Sequence, residues 1–167
     1  MIKEVYFVRH SKPLKVNNDK NIDSLQIQNE KQPLSIEGEN IAREILNIEE
    51  LKDIDKLYSS SYVRAISTAK YIAENNNIEI NVINDFGERK FGINSWDELP
   101  DNFGEKQFLD ENFKTVGGES QKDVRKRMDE VISEIIKNNK GKRIAIFSHG
   151  YAIIYYLLKY CKLISVN

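Results

Sequence analysis

The chain has two histidines, His10 and His149, and each directly follows a short apolar stretch. The first stretch, VYFVRH, ends on Arg9 and His10, and the second, RIAIFSH, ends on His149. A neutral imidazole can attack an electrophile, and an arginine side chain can donate two parallel hydrogen bonds to a phosphate. This combination predicts a phosphate-binding site in which a histidine acts as the nucleophile.

Further polar residues follow two other apolar stretches. In LYSSSYVRAISTA (57–69), three serines that could cap the next helix precede Arg64, so Arg64 would lie near a helix N-terminus, which favours anions. In DFGERKFG (85–92), Asp85 and Glu88 each offer a carboxylic acid that could protonate the leaving group of a phosphoester. On residue type and position alone, either Asp85 or Glu88 could be the proton donor.

These groups can meet only if the fold brings strand ends together. Runs rich in β-branched and aromatic residues predict strands at 3–8, 55–58, 79–83 and 143–147. Apolar residues at helical spacing predict helices at 36–51, 62–75, 120–138 and 151–160. Ser35 and Ser120 are the predicted N-caps of the first and third of these helices. The alternation predicts an α/β fold of three layers, with helices flanking a mostly parallel sheet whose carboxyl ends share one edge.

Composition excludes several classes of protein. The chain of 167 residues fits a single domain, and its 25 basic against 26 acidic residues lack the basic excess of a nucleic-acid binder. Its longest apolar stretch, YAIIYYLLKY, is too short to cross a bilayer, and the first strand follows Met1 too closely for a signal peptide. The single cysteine, Cys161, cannot form an internal disulfide. We therefore expect a cytoplasmic protein with neither a nucleic-acid nor a membrane partner, and the oligomeric state stays open.

Six blocks of the sequence resemble, in the right order, the motifs of the histidine phosphatase superfamily, which has the phosphoglycerate-mutase-like fold. FVRHSKP is similar to its R-H-G signature, PLSIEGENIAREI to its L-T-x-x-G helix, and SSSYVRAISTA to its S-S-x-x-x-R-A block. FGERKFG is similar to the block that carries the proton donor, GGESQKDVRKRM to the G-E-S helix, and FSHG to the segment of the second histidine. Together the blocks cover most of the chain.

The resemblance implies a phosphomonoesterase that acts on a small phosphorylated metabolite through a phosphohistidine intermediate, with no metal and no cofactor. It implies His10 as the nucleophile and Glu88 as the general acid and then base, and it leaves Asp85 a structural role. The resemblance also implies that His149, the second histidine, is both a catalytic and a phosphate-binding residue. The phosphate pocket around the nucleophile would consist of Arg9, Arg64 and His149.

Three positions depart from the family's pattern. Ser11 occupies the place of the signature glycine, and Pro13 a place where many members have a hydroxyl residue. Val16 occupies the place of an asparagine that helps to hold the phosphate in many members. The changes at Pro13 and Val16 remove two hydrogen-bond donors from the phosphate pocket, and this loss affects substrate affinity and the choice of substrate.

Two alternatives to the phosphatase remain open at this point. A phosphoglycerate-type mutase would move a phosphoryl group between positions, but the chain is shorter than the glycolytic mutases of this fold. A non-catalytic phosphate-recognising module would keep its affinity when His10 is replaced by alanine. A metal hydrolase is disfavoured because the sequence has no H-x-H pair, no H-x-x-x-H helix and no aspartate cluster with metal-binding spacing.

The segment at about 86–118 corresponds to the place where the family carries a specificity cap, and we expect a cap-like insertion there within one domain at 1–167. The segment lacks clear periodicity and is rich in aromatic residues, which we expect to form a small satellite core that partly roofs the pocket. These aromatic residues are Phe86, Phe91, Trp96, Phe103, Phe108 and Phe113.

Overall fold

The computed structural model describes residues 4–15 and 24–164. Their strands are β1 (Glu4–Arg9), β2 (Lys56–Ser59), β3 (Ile80–Val82) and β4 (Arg143–Ser148). Their α-helices are α1 (Leu25–Lys31), α2 (Ile36–Glu44), α3 (Val63–Asn76), α4 (Phe103–Leu109), α5 (Gln121–Asn138) and α6 (Gly150–Leu157). Short 3₁₀ turns lie at Ile45–Asn47, Glu49–Leu51, Asn84–Phe86 and Trp96–Glu98.

The described strands form one sheet in the order β1-β4-β2-β3, and every neighbouring pair is parallel. Strand β4 is therefore central, and its carboxyl end lies between those of β1 and β2. The register pairs Arg9 of β1 with Ser148 of β4. All four predicted strands are confirmed, and their carboxyl ends form one common edge.

Strand β4 shows why the fold has three layers. Ile144 and Ile146 belong to the core cluster formed with α5 and α6, whereas Ala145 and Phe147 belong to the cluster formed with α3. Successive side chains of a strand point to opposite faces, so both faces of β4 are covered by helices. The predicted α/β fold with helices flanking a parallel sheet is confirmed.

Two helix starts follow local capping rules. The Ser35 hydroxyl accepts a hydrogen bond from the Gly38 N–H at the start of α2. At the start of α5, Ser120 and Asp123 form a capping box, in which each side chain accepts from the backbone N–H of the other. Both predicted N-caps are confirmed.

The predicted helix at 36–51 is too long. Helix α2 ends at Glu44, and two 3₁₀ turns follow, separated by the extended residue Ile48. Ile45 and Leu51 are both buried, yet on a continuous α-helix they would point about 120° apart. Breaking the helix lets both side chains reach the same core cluster.

Two further helices arise in stretches without clear periodicity. Helix α1 lies within 11–34 and α4 within 84–118, and each has seven residues. Leu25 is the buried residue of α1, and Phe103 and Gln107 are those of α4. Such short helices with few apolar anchors depend on tertiary contacts rather than on a repeating pattern.

Among residues 4–15 and 24–164, no helix is both long and apolar enough to cross a membrane. The longest, α5, has 18 residues and carries many charged side chains. The apolar stretch near the end of the sequence forms the much shorter α6.

Candidate active site

The register of the sheet brings the two histidines together. Because Arg9 pairs with Ser148, the residues that follow, His10 and His149, leave the sheet side by side. The His10 N–H donates to the Ser148 carbonyl oxygen at 3.0 Å, which extends the pairing by one step. The centroids of the two imidazole rings lie 5.0 Å apart.

A backbone carbonyl fixes the proton on the His10 ring. Its Nδ1 lies 2.7 Å from the Ser11 carbonyl oxygen, which can only accept, so Nδ1 carries the hydrogen and Nε2 has a free electron pair. Burial lowers the pKa of His10 to about 4, and the nearby charges of Arg64 and Arg9 act in the same direction. The ring is therefore neutral at pH 7, with Nε2 able to act as a nucleophile.

His149 is fully buried and has a partner on each ring nitrogen. The Arg64 guanidinium donates from Nη2 to Nδ1 at 3.1 Å, and the opposite ring nitrogen, Nε2, lies 2.7 Å from the Ser60 hydroxyl oxygen. Since a guanidinium cannot accept, Nε2 carries the hydrogen and donates to Ser60. Burial, and then the charge of Arg64, lower the pKa of His149 well below its ordinary value.

Arg64 lies in the first turn of α3, and only 3% of its surface is exposed. Besides bonding His149, it donates from Nη1 to the backbone oxygen of Asn29 in α1. Its Cζ lies 5.0 Å from the centroid of the Tyr62 ring, which in turn packs on His149 at 4.5 Å between centroids. The guanidinium is thus held from three sides.

Arg9 is the exposed cation of this group. It lies against the first residue of α6: a Cβ placed on Gly150 would be 3.5 Å from its Nε. Arg9 and Arg64 each depress the pKa of both histidines, so their positive charges surround the two rings. Two cations and a helix N-terminus at one sheet edge can bind a phosphate group.

Glu88 lies next to the same helix N-terminus. Its Oε1 accepts from the backbone N–H of Arg89 at 2.9 Å and of Ala152 at 3.0 Å, and its Oε2 accepts from that of Tyr151 at 3.3 Å. Burial raises the pKa of Glu88 although these three hydrogen bonds oppose the change. A carboxyl group with a raised pKa is suited to donate a proton.

The other predicted acid, Asp85, is exposed, and its backbone oxygen accepts a hydrogen bond from Arg127. The structure thus separates two carboxyl groups that lie three positions apart in the sequence: Glu88 joins the buried group at the sheet edge and Asp85 does not.

The residues that depart from the family's pattern have backbone and packing contacts. The Ser11 N–H donates to the Thr68 hydroxyl at 3.0 Å, and the Ser11 hydroxyl donates to the Gly38 carbonyl at 2.7 Å. Pro13 forms an isolated antiparallel bridge with Leu34. Val16 lies outside the residues that the structure describes.

Sequence reasoning missed the role of Ser60. The three serines do not cap α3, whose N-cap is Tyr62 without a side-chain cap bond. The Ser60 hydroxyl instead accepts from His149 and, at 3.3 Å, from the Tyr62 N–H. The repeated serines were a signal for this site, but the histidine partner lies 89 positions away in the sequence.

The aromatic segment is mostly, but not wholly, the predicted satellite core. Phe91 contacts Trp96, Phe103 and Tyr151, with ring centroids 5.2, 5.9 and 6.3 Å away. Two of the six residues are exceptions: Phe86 is fully buried in the main core cluster with α5 and α6, and Phe108 packs against that same cluster. Because Phe86 follows the end of β3 by only a few residues, it lies close to the carboxyl edge of the sheet.

Among the described residues, no group of three or more His, Cys, Asp or Glu side chains is arranged to hold a metal ion. The nitrogen atoms of the buried histidine, His149, are both used in hydrogen bonds to Arg64 and Ser60.

Comparison with known proteins identifies the family and the fold of the chain. The family model of the histidine phosphatase superfamily (branch 1) matches residues 5–164. A mycobacterial glucosyl-3-phosphoglycerate phosphatase has a similar structure, with a TM-score of 0.75 and 19% identity, over 94% of this chain and 78% of that chain. For Bacillus stearothermophilus YhfR the TM-score is 0.74 with 22% identity, over 93% and 78% of the two chains.

A phosphoserine phosphatase from Entamoeba histolytica, solved with 3-phosphoglyceric acid, has a TM-score of 0.71 and 25% identity, over 95% of this chain and 81% of that chain. A search of curated protein sequences finds no match. The family model covers nearly the whole sequence, from the first strand to the residues after α6. The chain therefore belongs to branch 1 of the histidine phosphatase superfamily and is a phosphatase of that family.

Proposed function

We propose that the protein is a metal-independent phosphomonoesterase that forms a phosphohistidine on His10. The observation that carries this proposal is the state of the His10 ring. Its Nδ1–H is bound by the Ser11 carbonyl and its pKa is lowered to about 4, so Nε2 is unprotonated at neutral pH beside two arginines. A neutral, oriented imidazole next to an anion-binding group is what attack on phosphorus requires.

In the first step, Nε2 of His10 attacks the phosphorus, and the bond from phosphorus to the ester oxygen breaks. The electron pair of that bond goes to the leaving oxygen, which takes the proton of Glu88. Arg9 and Arg64 offset the charge on the remaining phosphoryl oxygens. His149 stays neutral in this proposal and accepts from Arg64 through Nδ1, so it holds the guanidinium in the phosphate pocket.

In the second step, Glu88 is ionised and takes a proton from water as the water oxygen attacks phosphorus. The bond between phosphorus and Nε2 breaks, and its electron pair returns to His10. Inorganic phosphate leaves, and Glu88 is again protonated, so the cycle closes without a metal or a cofactor.

The substrate that fits best is a small phosphorylated metabolite. A cleft of about 230 Å³ borders Glu88 and Tyr62, and its lining does not include His10 or the phosphate-binding residues. In this proposal the cleft takes the part of the substrate beyond the leaving oxygen, and its size suits a small group. Its acids Glu30, Asp85 and Glu119 outnumber its cations Lys90 and Arg127, which disfavours further negative charge on that part of the substrate. The lining residues are Glu30, Ser61, Tyr62, Asn84, Asp85, Gly87, Glu88, Lys90, Glu119 and Arg127.

The segment at about 86–118 is, in this proposal, the specificity cap of a single domain. Two observations support that role: Phe91 contacts Tyr151 in the first turn of α6, and Trp96 keeps 44% of its surface exposed. The activity is assigned to the cytoplasm, since the single cysteine, Cys161, is an exposed free thiol.

The test is release of inorganic phosphate from an aryl phosphate with a chelator present. We expect chelator-resistant turnover that is lost in His10→Ala and retained in Lys12→Ala, which changes an exposed neighbour of the site. Transfer of the phosphoryl group between positions of a phosphoglycerate, without release of phosphate, would favour the mutase instead. Turnover abolished by the chelator would contradict the metal-free mechanism.

A further inference from the structure

Arg89 is the largest fully buried side chain in the described part of the molecule, with 1% of its surface exposed. Its guanidinium donates to four acceptors, and every one of them is uncharged. Nε donates to the Glu119 backbone oxygen at 2.7 Å, and Nη2 to the Phe113 backbone oxygen at 3.2 Å. Nη1 donates to Gln107 Oε1 at 2.8 Å and to the Tyr155 hydroxyl at 2.9 Å.

No carboxylate among the described residues forms an ion pair with this cation. Burying a charge without an opposite charge is costly, so a buried arginine of this kind calls for an explanation. The network is otherwise complete, since Tyr155 also donates to Gln107 Oε1 at 2.6 Å. A fully satisfied polar network of this kind holds its members in one arrangement.

The network connects the elements that surround the carboxyl group of Glu88. The backbone N–H of Arg89 itself donates to Oε1 of Glu88. The other two donors, the N–H groups of Tyr151 and Ala152, lie in the first turn of α6, and Tyr155 is one turn further along the same helix. Arg89 thus provides one donor from its main chain and holds, through its side chain, the helix that provides the other two.

We propose that Arg89 is a positioning residue for the general acid. It fixes the first turn of α6 relative to Glu88, so that the carboxyl group keeps its place beside the leaving oxygen. This inference rests on the proposed role of Glu88 as the acid.

The leaving group of the substrate separates positioning of the acid from general stability. An alkyl phosphate expels a strongly basic alkoxide, which needs the proton of Glu88. An aryl phosphate with a nitro group expels a weakly basic phenolate, which leaves without that proton. A defect in the acid therefore lowers kcat/KM for the alkyl ester much more than for the aryl ester, whereas loss of folded enzyme lowers both by the same factor.

The experiment compares kcat/KM for an alkyl phosphate and a nitrophenyl phosphate in the native protein and in Glu88→Gln, Arg89→Met and Tyr155→Phe. For Glu88→Gln we expect a loss of about 100-fold or more on the alkyl ester and less than about 10-fold on the aryl ester. Arg89→Met should show the same selectivity with an alkyl loss of about 10- to 100-fold. Tyr155→Phe, which removes one hydroxyl of the network, should show a smaller selective loss.

Arg143→Met is the matched control. Like Arg89, Arg143 donates to a tyrosine hydroxyl, that of Tyr6, and to a backbone oxygen. Unlike Arg89, it is only partly buried and pairs with Glu4 at 3.3 Å, and it lies at the amino end of β4, away from the site. Its replacement should lower the two rates by one common factor.

The failures can be told apart. Equal losses on both esters in Glu88→Gln would overturn the acid role of Glu88 and, with it, this inference. A selective loss in Glu88→Gln together with equal losses in Arg89→Met would overturn the inference alone and leave Arg89 a purely structural residue. If Arg89→Met does not fold, Tyr155→Phe decides: a selective loss supports the inference and a common factor overturns it.

Discussion

The buried, neutral histidines should make the protein lose stability in mild acid. In the unfolded chain a histidine has a pKa near its ordinary value of 6.5, whereas in the folded protein the pKa of His10 is lowered to about 4. Between these values the unfolded chain binds more protons than the folded one, so the free energy of unfolding falls as the pH falls below 6.5. The contribution of His10 is fully present above that value.

The size of the effect follows from the two pKa values. At about pH 5 the unfolded imidazole gains about 2 kcal/mol by binding a proton, and the folded one gains less than about 0.1 kcal/mol. His10→Asn removes this difference and keeps a side-chain N–H that can donate to the Ser11 carbonyl. Between about pH 7.5 and pH 5, the variant should therefore lose about 2 kcal/mol less of its unfolding free energy than the native protein.

Urea unfolding followed by circular dichroism at several pH values measures this difference. The carboxyl groups titrate in both proteins, so their contribution cancels when the two pH profiles are subtracted. His149→Asn should change the profile in the same direction, since the pKa of His149 is lowered as well. Parallel profiles for the native protein and both variants would show that the histidines are not held as neutral groups in the folded protein.

Two further variants test how the site is held. Gly38→Ala would place a Cβ 2.0 Å from the Lys12 backbone oxygen, so the free energy of unfolding should fall by about 2–4 kcal/mol in urea unfolding; an unchanged value would contradict the close approach. Ser60→Ala removes the acceptor of the His149 Nε2–H and should lower kcat for an aryl phosphate about 10-fold. Ser133→Ala, at an exposed serine of α5 away from the site, is its control and should leave kcat unchanged.

The part of the fold that could be predicted is the part with a repeating pattern. All four strands follow from β-branched runs, and α3, α5 and α6 from apolar residues at helical spacing. The common strand edge then brings His10 and His149 together, because residues that leave neighbouring parallel strands at equal register must be adjacent. No contact beyond the sheet is needed for that prediction.

The parts that could not be predicted depend on contacts between distant residues. Helix α1 has one buried residue, Leu25, and is held to α3 by hydrogen bonds from Gln26 to Tyr62 and from Arg64 to Asn29. The sequence of α1 has no periodic apolar pattern that would predict these contacts. Local sequence alone also left the choice between two acids open, since they differ in whether the chain turns them toward or away from the first turn of α6.

The buried network around Arg89 is the clearest case. The consecutive residues Glu88 and Arg89 carry no sequence signal of burial, and an arginine in a loop is expected to be exposed. Its burial depends on Gln107, Phe113 and Tyr155, which come from three separate parts of the chain. Only their three-dimensional arrangement shows that the side chain is internal.

The most direct test of the account is a search for the phosphoenzyme. The protein and its Glu88→Gln variant are mixed with a radiolabelled aryl phosphate, quenched in alkali within milliseconds, digested and analysed by mass spectrometry. We expect an alkali-stable, acid-labile phosphoryl group on His10, present at higher occupancy in Glu88→Gln because loss of the base slows its hydrolysis. Turnover at the normal rate with no label on His10, or with the label on another residue, would contradict it.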